Sequence, residues 1–147
     1  MGNVKHCVAT RVREVLLVAM SDQPPRQSEW EEVMRVSFPG TAPRAVIVSN
    51  DGANPSAFQR KQLRERLLAR QSENHELPPM VLLTDSIATR ITIVALRLFL
   101  KKAPVPFSPR QWAEAVSFAG LLPDESGPLW ESIQDLRASI GLAPLLP

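Results

Sequence analysis

Two apolar runs in this chain end in the same kind of chemistry. Ala45–Val48 gives way to Ser49, Asn50, Asp51 and Gly52, and Met80–Leu83 gives way to Thr84, Asp85 and Ser86. In each case a carboxylate stands beside hydroxyl or amide groups, just ahead of a helical pattern. A pair such as Asp51 and Asp85 suits a divalent cation, and two adjacent helix N-termini favour an anion such as phosphate. The Ser56 and Ser86 hydroxyls are also candidates for phosphorylation. The same residues serve equally as helix caps. Ser56-Ala57-Phe58-Gln59 has the spacing of a capping box, Asp85 or Ser86 can cap the next helix, and Asp51-Gly52 is ordinary turn chemistry. The candidate ligand or phosphate rim is therefore Asn50, Asp51, Ser56, Thr84, Asp85 and Ser86, with capping ranked ahead of it.

Other catalytic signals are absent from the sequence. His6 falls in the first apolar segment and His75 in a polar loop, neither near the strand ends. There is no Gly-rich phosphate loop, HExxH, GxSxG or CxxC. Two carboxylates without a third ligand do not define a metal site. Cys7 is the only cysteine, which rules out an intramolecular disulfide and a thiolate cluster. A non-catalytic protein that needs no metal or cofactor is expected.

The elements that would position the rim follow from periodicity. Val4–Val12 alternates and Val15–Met20 is continuously apolar, an antiparallel hairpin turning at the polar stretch Arg11–Glu14. From Ser28 the period becomes helical, with Trp30, Val33, Met34 and Phe38 near one face and Ser28-x-x-Glu31 resembling a capping box. Ala45–Val48 and Met80–Leu83 are short, apolar and rich in branched residues, as strands buried on both faces are. Between them Ser56 opens a helix to about Gln71, with Leu63 and Leu67 inward and Arg60, Lys61, Arg64 and Arg70 largely in solvent. Pro104 and Pro106 restrict the segment around Val105 to a short edge strand. A helix from about Pro109 to Ala119 ends at Gly120. In the tail, Leu129, Ile133, Leu136 and Ile140 make a stripe bounded by Pro128 at the first helical position and Gly141 at the end.

The segment Ile87–Leu100 carries two stripes. Ile87, Ile91, Val94, Ala95 and Leu98 share one face, expected against the sheet, while Ile93, Leu96 and Leu100 share the far side with Arg90 and Arg97 along one flank. Either the tail helix covers that second stripe, or Arg90, Ile93, Leu96, Arg97 and Leu100 form a surface for a partner or a second copy.

Composition sets the outer limits. The chain has 147 residues, 44% of them apolar and 22% charged, which suits one globular domain. Its 14 prolines gather at element junctions and so punctuate the fold without forming a disordered linker. Seventeen basic and fifteen acidic residues leave a charge of only +2, and the arginines after Ser56 are interspersed with Glu65 and lack stacking aromatics. Nucleic acid is therefore not an expected partner. No stretch reaches the ~20 apolar residues of a spanning helix, and the N-terminus lacks a secretory pattern. A soluble, cytoplasmic protein is expected.

The order of strands and helices from Val4 to Leu121 resembles the STAS domain of bacterial anti-sigma-factor antagonists and the related STAS/SEC14-like group. "PRAVIVSNDG" and "MVLLTDS", each before a helix, and the closing "FSPRQWAEAVSFAGL" carry the likeness. The resemblance implies an α/β fold: a mixed, mostly parallel sheet of about five strands with four helices. An extra C-terminal helix would be added, dividing the chain into a domain of residues 1–122 and an extension, 123–147, packed on it. It further implies a non-catalytic module that binds a protein partner or a second copy of itself, as a signalling regulator or scaffold. In the antagonists a serine after the third strand is phosphorylated. Here the matching "NDGANPSAF" keeps Asp51 but lacks the Asp-Ser-Ser/Thr-Gly run, and Ser56 is the nearest hydroxyl. The alternative reading is a domain that binds a small ligand, nucleotide or lipid at the strand-end rim.

Overall fold

A computed structural model of the protein describes residues 5–38, 40–72, 77–87, 89 and 104–146. Five strands form one sheet in the order β1-β2-β3-β4-β5. They are β1 (Cys7–Val12), β2 (Val15–Met20), β3 (Ala45–Asn50), β4 (Met80–Leu83) and β5 (Val105–Phe107). β1 and β2 pair antiparallel, Cys7 opposite Met20, and β2, β3, β4 and β5 are mutually parallel. Four α-helices are described: α1 (Gln27–Ser37), α2 (Ala57–Ser72), α3 (Trp112–Phe118) and α4 (Ser126–Ser139). This is the expected α/β fold with a mixed, mostly parallel sheet. The helix expected over Ile87–Leu100 lies, apart from Ile87 and Thr89, outside the described residues.

Strand alternation divides the interior into two layers. Val15 and Leu17 of β2, Ala45 and Ile47 of β3, and Val81 and Leu83 of β4 face one side, where Ala115, Val116, Leu129 and Ile133 of α3 and α4 cover them. Leu16, Val18 and Met20 face the other side with Val46 and Val48, against Trp30, Val33 and Met34 of α1 and Leu63 of α2. The tail helix α4 is therefore integral to the core: Leu129 and Ile133 are 0% and 2% exposed. By area bookkeeping each such side chain contributes about 1.5–3 kcal/mol of burial.

Local chemistry explains the element ends, with some departures from the pattern reading. The hairpin turn is only two residues, Arg13 and Glu14, with φ of 52° and 65°. That left-handed pair makes the primed turn whose twist suits a tight hairpin. Helix α1 starts one residue before Ser28, and its cap is made by Glu29, not by Ser28 with Glu31. Glu29 Oε1 accepts the Arg26 amide at 3.0 Å and its Oε2 the His6 amide at 2.8 Å, so the cap also ties α1 to β1. The fourth buried position of α1 is Ser37, whose hydroxyl donates to the Val33 carbonyl, whereas Phe38 lies beyond the helix end. Helix α4 begins at Ser126 after a 3₁₀ turn, so Pro128 occupies the third position, still within the turn where no amide is needed.

Candidate functional site

The carboxyl ends of β3 and β4 bring three of the six rim residues, Asn50, Thr84 and Ser86, together. A Cβ added to Gly52 (φ +124°) would stand 3.8 Å from Ser86 Oγ, so the loops after the two strands touch. Asn50 organises the contact. Its Oδ1 accepts the Gly52 amide at 2.6 Å and the Thr89 hydroxyl at 3.2 Å, and its Nδ2 donates to the Ala53 carbonyl at 3.0 Å. The Ser86 amide donates to Thr84 Oγ1 at 3.0 Å, and Ser86 Oγ accepts the Thr89 amide at 3.3 Å, as an N-cap does. Thr84 is buried and Asp85 is exposed.

Ser56 and Gln59 form the reciprocal capping box that their spacing predicts. Ser56 Oγ accepts the Gln59 amide at 3.1 Å, and Gln59 Oε1 accepts the Ser56 amide at 2.9 Å. Gln59 is itself buried, and its amide nitrogen donates to the Pro25 carbonyl at 3.0 Å, joining α2 to the start of α1.

Asp51 turns away from this group. Alternation along β3 sends Asn50 to the α1–α2 face and Ser49 to the α4 face, and Asp51 follows Ser49. There Arg137 of α4 holds it through Nη1 to Oδ1 at 2.7 Å and Nη2 to Oδ2 at 2.9 Å. The same guanidinium donates to Ser49 Oγ at 2.7 Å and twice to the Ala143 carbonyl, from Nε at 3.1 Å and Nη2 at 2.7 Å. All five of its N–H groups are thus used, as a charge only 3% exposed requires. A carboxylate held in this bidentate way is not free for a cation. Among the described residues no group of three or more His, Cys, Asp or Glu side chains is placed to hold a metal.

Pattern reading had a signal for Arg137. It continues the four-residue spacing of Leu129 and Ile133, so the buried face of α4 carries a guanidinium. Such a group must find a carboxylate, but the sequence does not say which one.

A second bidentate pair holds the other end of α4. Arg44 donates to Glu125 from Nη1 at 2.9 Å and Nη2 at 2.8 Å. The Arg44 hydrogen bonds, helped by the Leu122 amide, pull the Glu125 carboxyl down from 4.5 to about 2. Arg44 also secures the hairpin, its amide donating to the Glu14 carbonyl at 2.8 Å.

Two side chains at this sheet end are apolar and turned outward. Phe58, in the first turn of α2, is 60% exposed, and Ile87, the first helical residue after β4, is 75% exposed. Exposure of Ile87 corrects the expectation that it heads the sheet-facing stripe. Thr89 takes the inward position instead and spends its hydroxyl on Asn50. The basic face of α2 is less solvated than expected: Arg64 and Arg70 are half-buried, and Arg70 donates to the Phe38 carbonyl at 2.8 Å above the Phe38 ring. Lys61 and Glu65 form an exposed i, i+4 pair at 3.9 Å, of small energetic weight.

The candidate partner surface Arg90, Ile93, Leu96, Arg97 and Leu100 lies outside the described residues, as does His75. Among the described residues no helix is long and apolar enough to cross a membrane. The fold is that of a three-layer α/β domain with a parallel-strand rim. No family model matches the chain, and neither a curated protein nor a solved structure matches it.

Proposed function

We propose that the protein is a cytoplasmic, non-catalytic, STAS-like interaction module that acts as a signalling regulator or scaffold. It engages a protein partner, or a second copy of itself, through the starts of the helices that follow β3 and β4. The observation that carries this reading is the pair Phe58 and Ile87, 60% and 75% exposed at the same end of the sheet. At the same strand ends the polar groups of Asn50, Ser56 and Ser86 are engaged in hydrogen bonds within the chain. Large apolar side chains facing water beside polar groups already bonded within the chain make a surface suited to docking.

Native mass spectrometry of the protein purified from its own host tests the proposal. The expected species is the chain with a second polypeptide or a second copy. Phe58→Asp with Ile87→Asp should dissociate that species and leave the melting temperature unchanged. A single chain of unmodified mass in the unaltered protein is the outcome that defeats the reading.

A further inference from the structure

Strand β1 forms one edge of the sheet. The Ser21 amide donates to the His6 carbonyl at 2.9 Å, which fixes the phase of the antiparallel ladder. Main-chain groups of Val8, Thr10 and Val12 therefore face β2, and those of Cys7, Ala9 and Arg11 face outward. The phase agrees with the other side of β2, where the Met20 carbonyl accepts the Asp51 amide at 3.1 Å. No described residue donates to or accepts from the outward main-chain groups of Ala9 and Arg11. Nor is the chain before β1 long enough to occupy this stretch. Among the described non-glycine residues only Arg13 and Glu14 have positive φ, so Lys5 and His6 do not make the primed turn of a tight hairpin. A turn over residues 4 and 5 would bring residue 1 no farther than Val8, short of residues 9–12.

Edge strands ordinarily carry a device against pairing with another chain, such as a lysine, a proline, a bulge or very short length. Strand β5, at the opposite edge, has two of them, being three residues long with Pro106 at its centre. Strand β1 has none. Its six residues, CVATRV, include no Pro, Gly or Lys, and its register runs unbroken from Cys7 opposite Met20 to Val12 opposite Val15. Its single charge, Arg11, is tied to the loop after α1, where Nη1 donates to the Thr41 carbonyl at 2.9 Å.

We infer that β1 pairs antiparallel with β1 of a second copy, about a two-fold axis at Thr10, so that the two sheets become one. In that register Ala9 exchanges both main-chain hydrogen bonds with Arg11 of the second copy, and Arg11 with its Ala9. The side chains match as well. Thr10 meets Thr10 and Val8 meets Val12, pairs that suit a sheet, while Arg11 meets Ala9, so like charges do not face each other. A foreign strand would have to supply the match that the two-fold provides by symmetry. The inference goes beyond the rim reading: it seats the second copy at β1 and leaves each rim to another polypeptide.

The mass of the purified full chain in solution, measured by light scattering, tests the pairing, and two chains are expected. Ala9→Pro removes an outward amide that bonds nothing within the sheet, and Thr10→Lys sets like charges opposite each other at the axis. Each should halve the mass and keep the circular dichroism of the folded chain. Should Ala9→Pro not fold, Thr10→Lys is read alone. Phe58→Asp with Ile87→Asp, which alters only the rim, should keep the two-chain mass, so failure of the rim reading and failure of this one are told apart. Thr10→Cys should form an interchain disulfide on mild oxidation, because directly opposed residues of a non-hydrogen-bonded pair lie about 4.5 Å apart at Cα. Arg11→Cys should not. A single-chain mass for the unaltered protein overturns the pairing, as does a two-chain mass that persists in Thr10→Lys. A fall to one chain in the rim variant places the second copy at the rim and overturns it too.

Discussion

Arg137, near the end of α4, and Asp51, just past β3, meet through two parallel hydrogen bonds of 2.7 and 2.9 Å, 86 residues apart in sequence. At the opposite end of the same strand and helix, Arg44 and Glu125 repeat the arrangement at 2.9 and 2.8 Å. Strand β3 and helix α4 run in the same direction and have matched lengths: six extended residues span roughly 20 Å, and fourteen helical ones roughly 21 Å. The helix is therefore fastened at both ends, and between the fastenings Leu129 and Ile133 fill the core.

Removing Arg137 leaves Asp51 and the Ser49 hydroxyl without their donor. Breaking a buried pair costs about 3–5 kcal/mol, and the 30% exposure of the Asp51 side chain places this one at roughly 2–3 kcal/mol. Arg137→Ala should show that loss in urea unfolding. Asp51→Asn, which keeps an acceptor, should lose less, and the double variant should lose less than the two single losses added. Full additivity would mean the pair is not coupled.

The second pair sets an acid limit. The folded Glu125 carboxyl sits at about 2 against an ordinary 4.5, because Arg44 hydrogen-bonds its ionised form. The unfolded chain takes up that proton more readily, so the stabilisation is fully present above pH 4.5 and fades as pH falls towards 2. Thermal melts from pH 7 to pH 2 should show a component of acid destabilisation that Glu125→Gln lacks. Parallel pH curves for the two proteins would contradict this assignment.

The hairpin turn stores strain. Arg13 and Glu14 both occupy the left-handed region, where a residue with a Cβ costs about 1 kcal/mol or more. Arg13→Asn with Glu14→Gly suits the same turn and should raise stability by about 1 kcal/mol, measured by chemical denaturation. A decrease would show that the native side chains contribute more than their backbone strain costs.

Cys7 reports on the edge strand. Burial, with the nearby Glu29 charge adding to it, pushes its thiol up to about 12, so very little thiolate exists at pH 8. An aromatic disulfide reagent should modify the folded protein only at the rate at which β1 opens, and rapidly once urea unfolds it. Immediate reaction under native conditions would place Cys7 outside the core.

Much of this architecture is written in local pattern. The continuous apolar run of β2, the short branched runs of β3 and β4, and the 30, 33, 34 spacing of α1 specify element type because burial must follow the 2.0 and 3.6 periods. Ser56 and Gln59 specify their cap because both partners lie within one turn. Asp51 could not be read in this way. Its carboxylate suits a turn first and a cation after that, and only the packing of α4 across the sheet delivered Arg137 to it. Ile87 likewise has the composition of a core residue, yet the rotation of its helical turn about the sheet put Thr89 inward. Periodicity along one element selects which residues are buried, whereas the pairing of charges 81 and 86 residues apart depends on how separate elements dock. That is why the sequence by itself determined the described strands and helices and the Ser56 cap of this protein, and only the tertiary structure decided what its rim carboxylate and its tail arginine do.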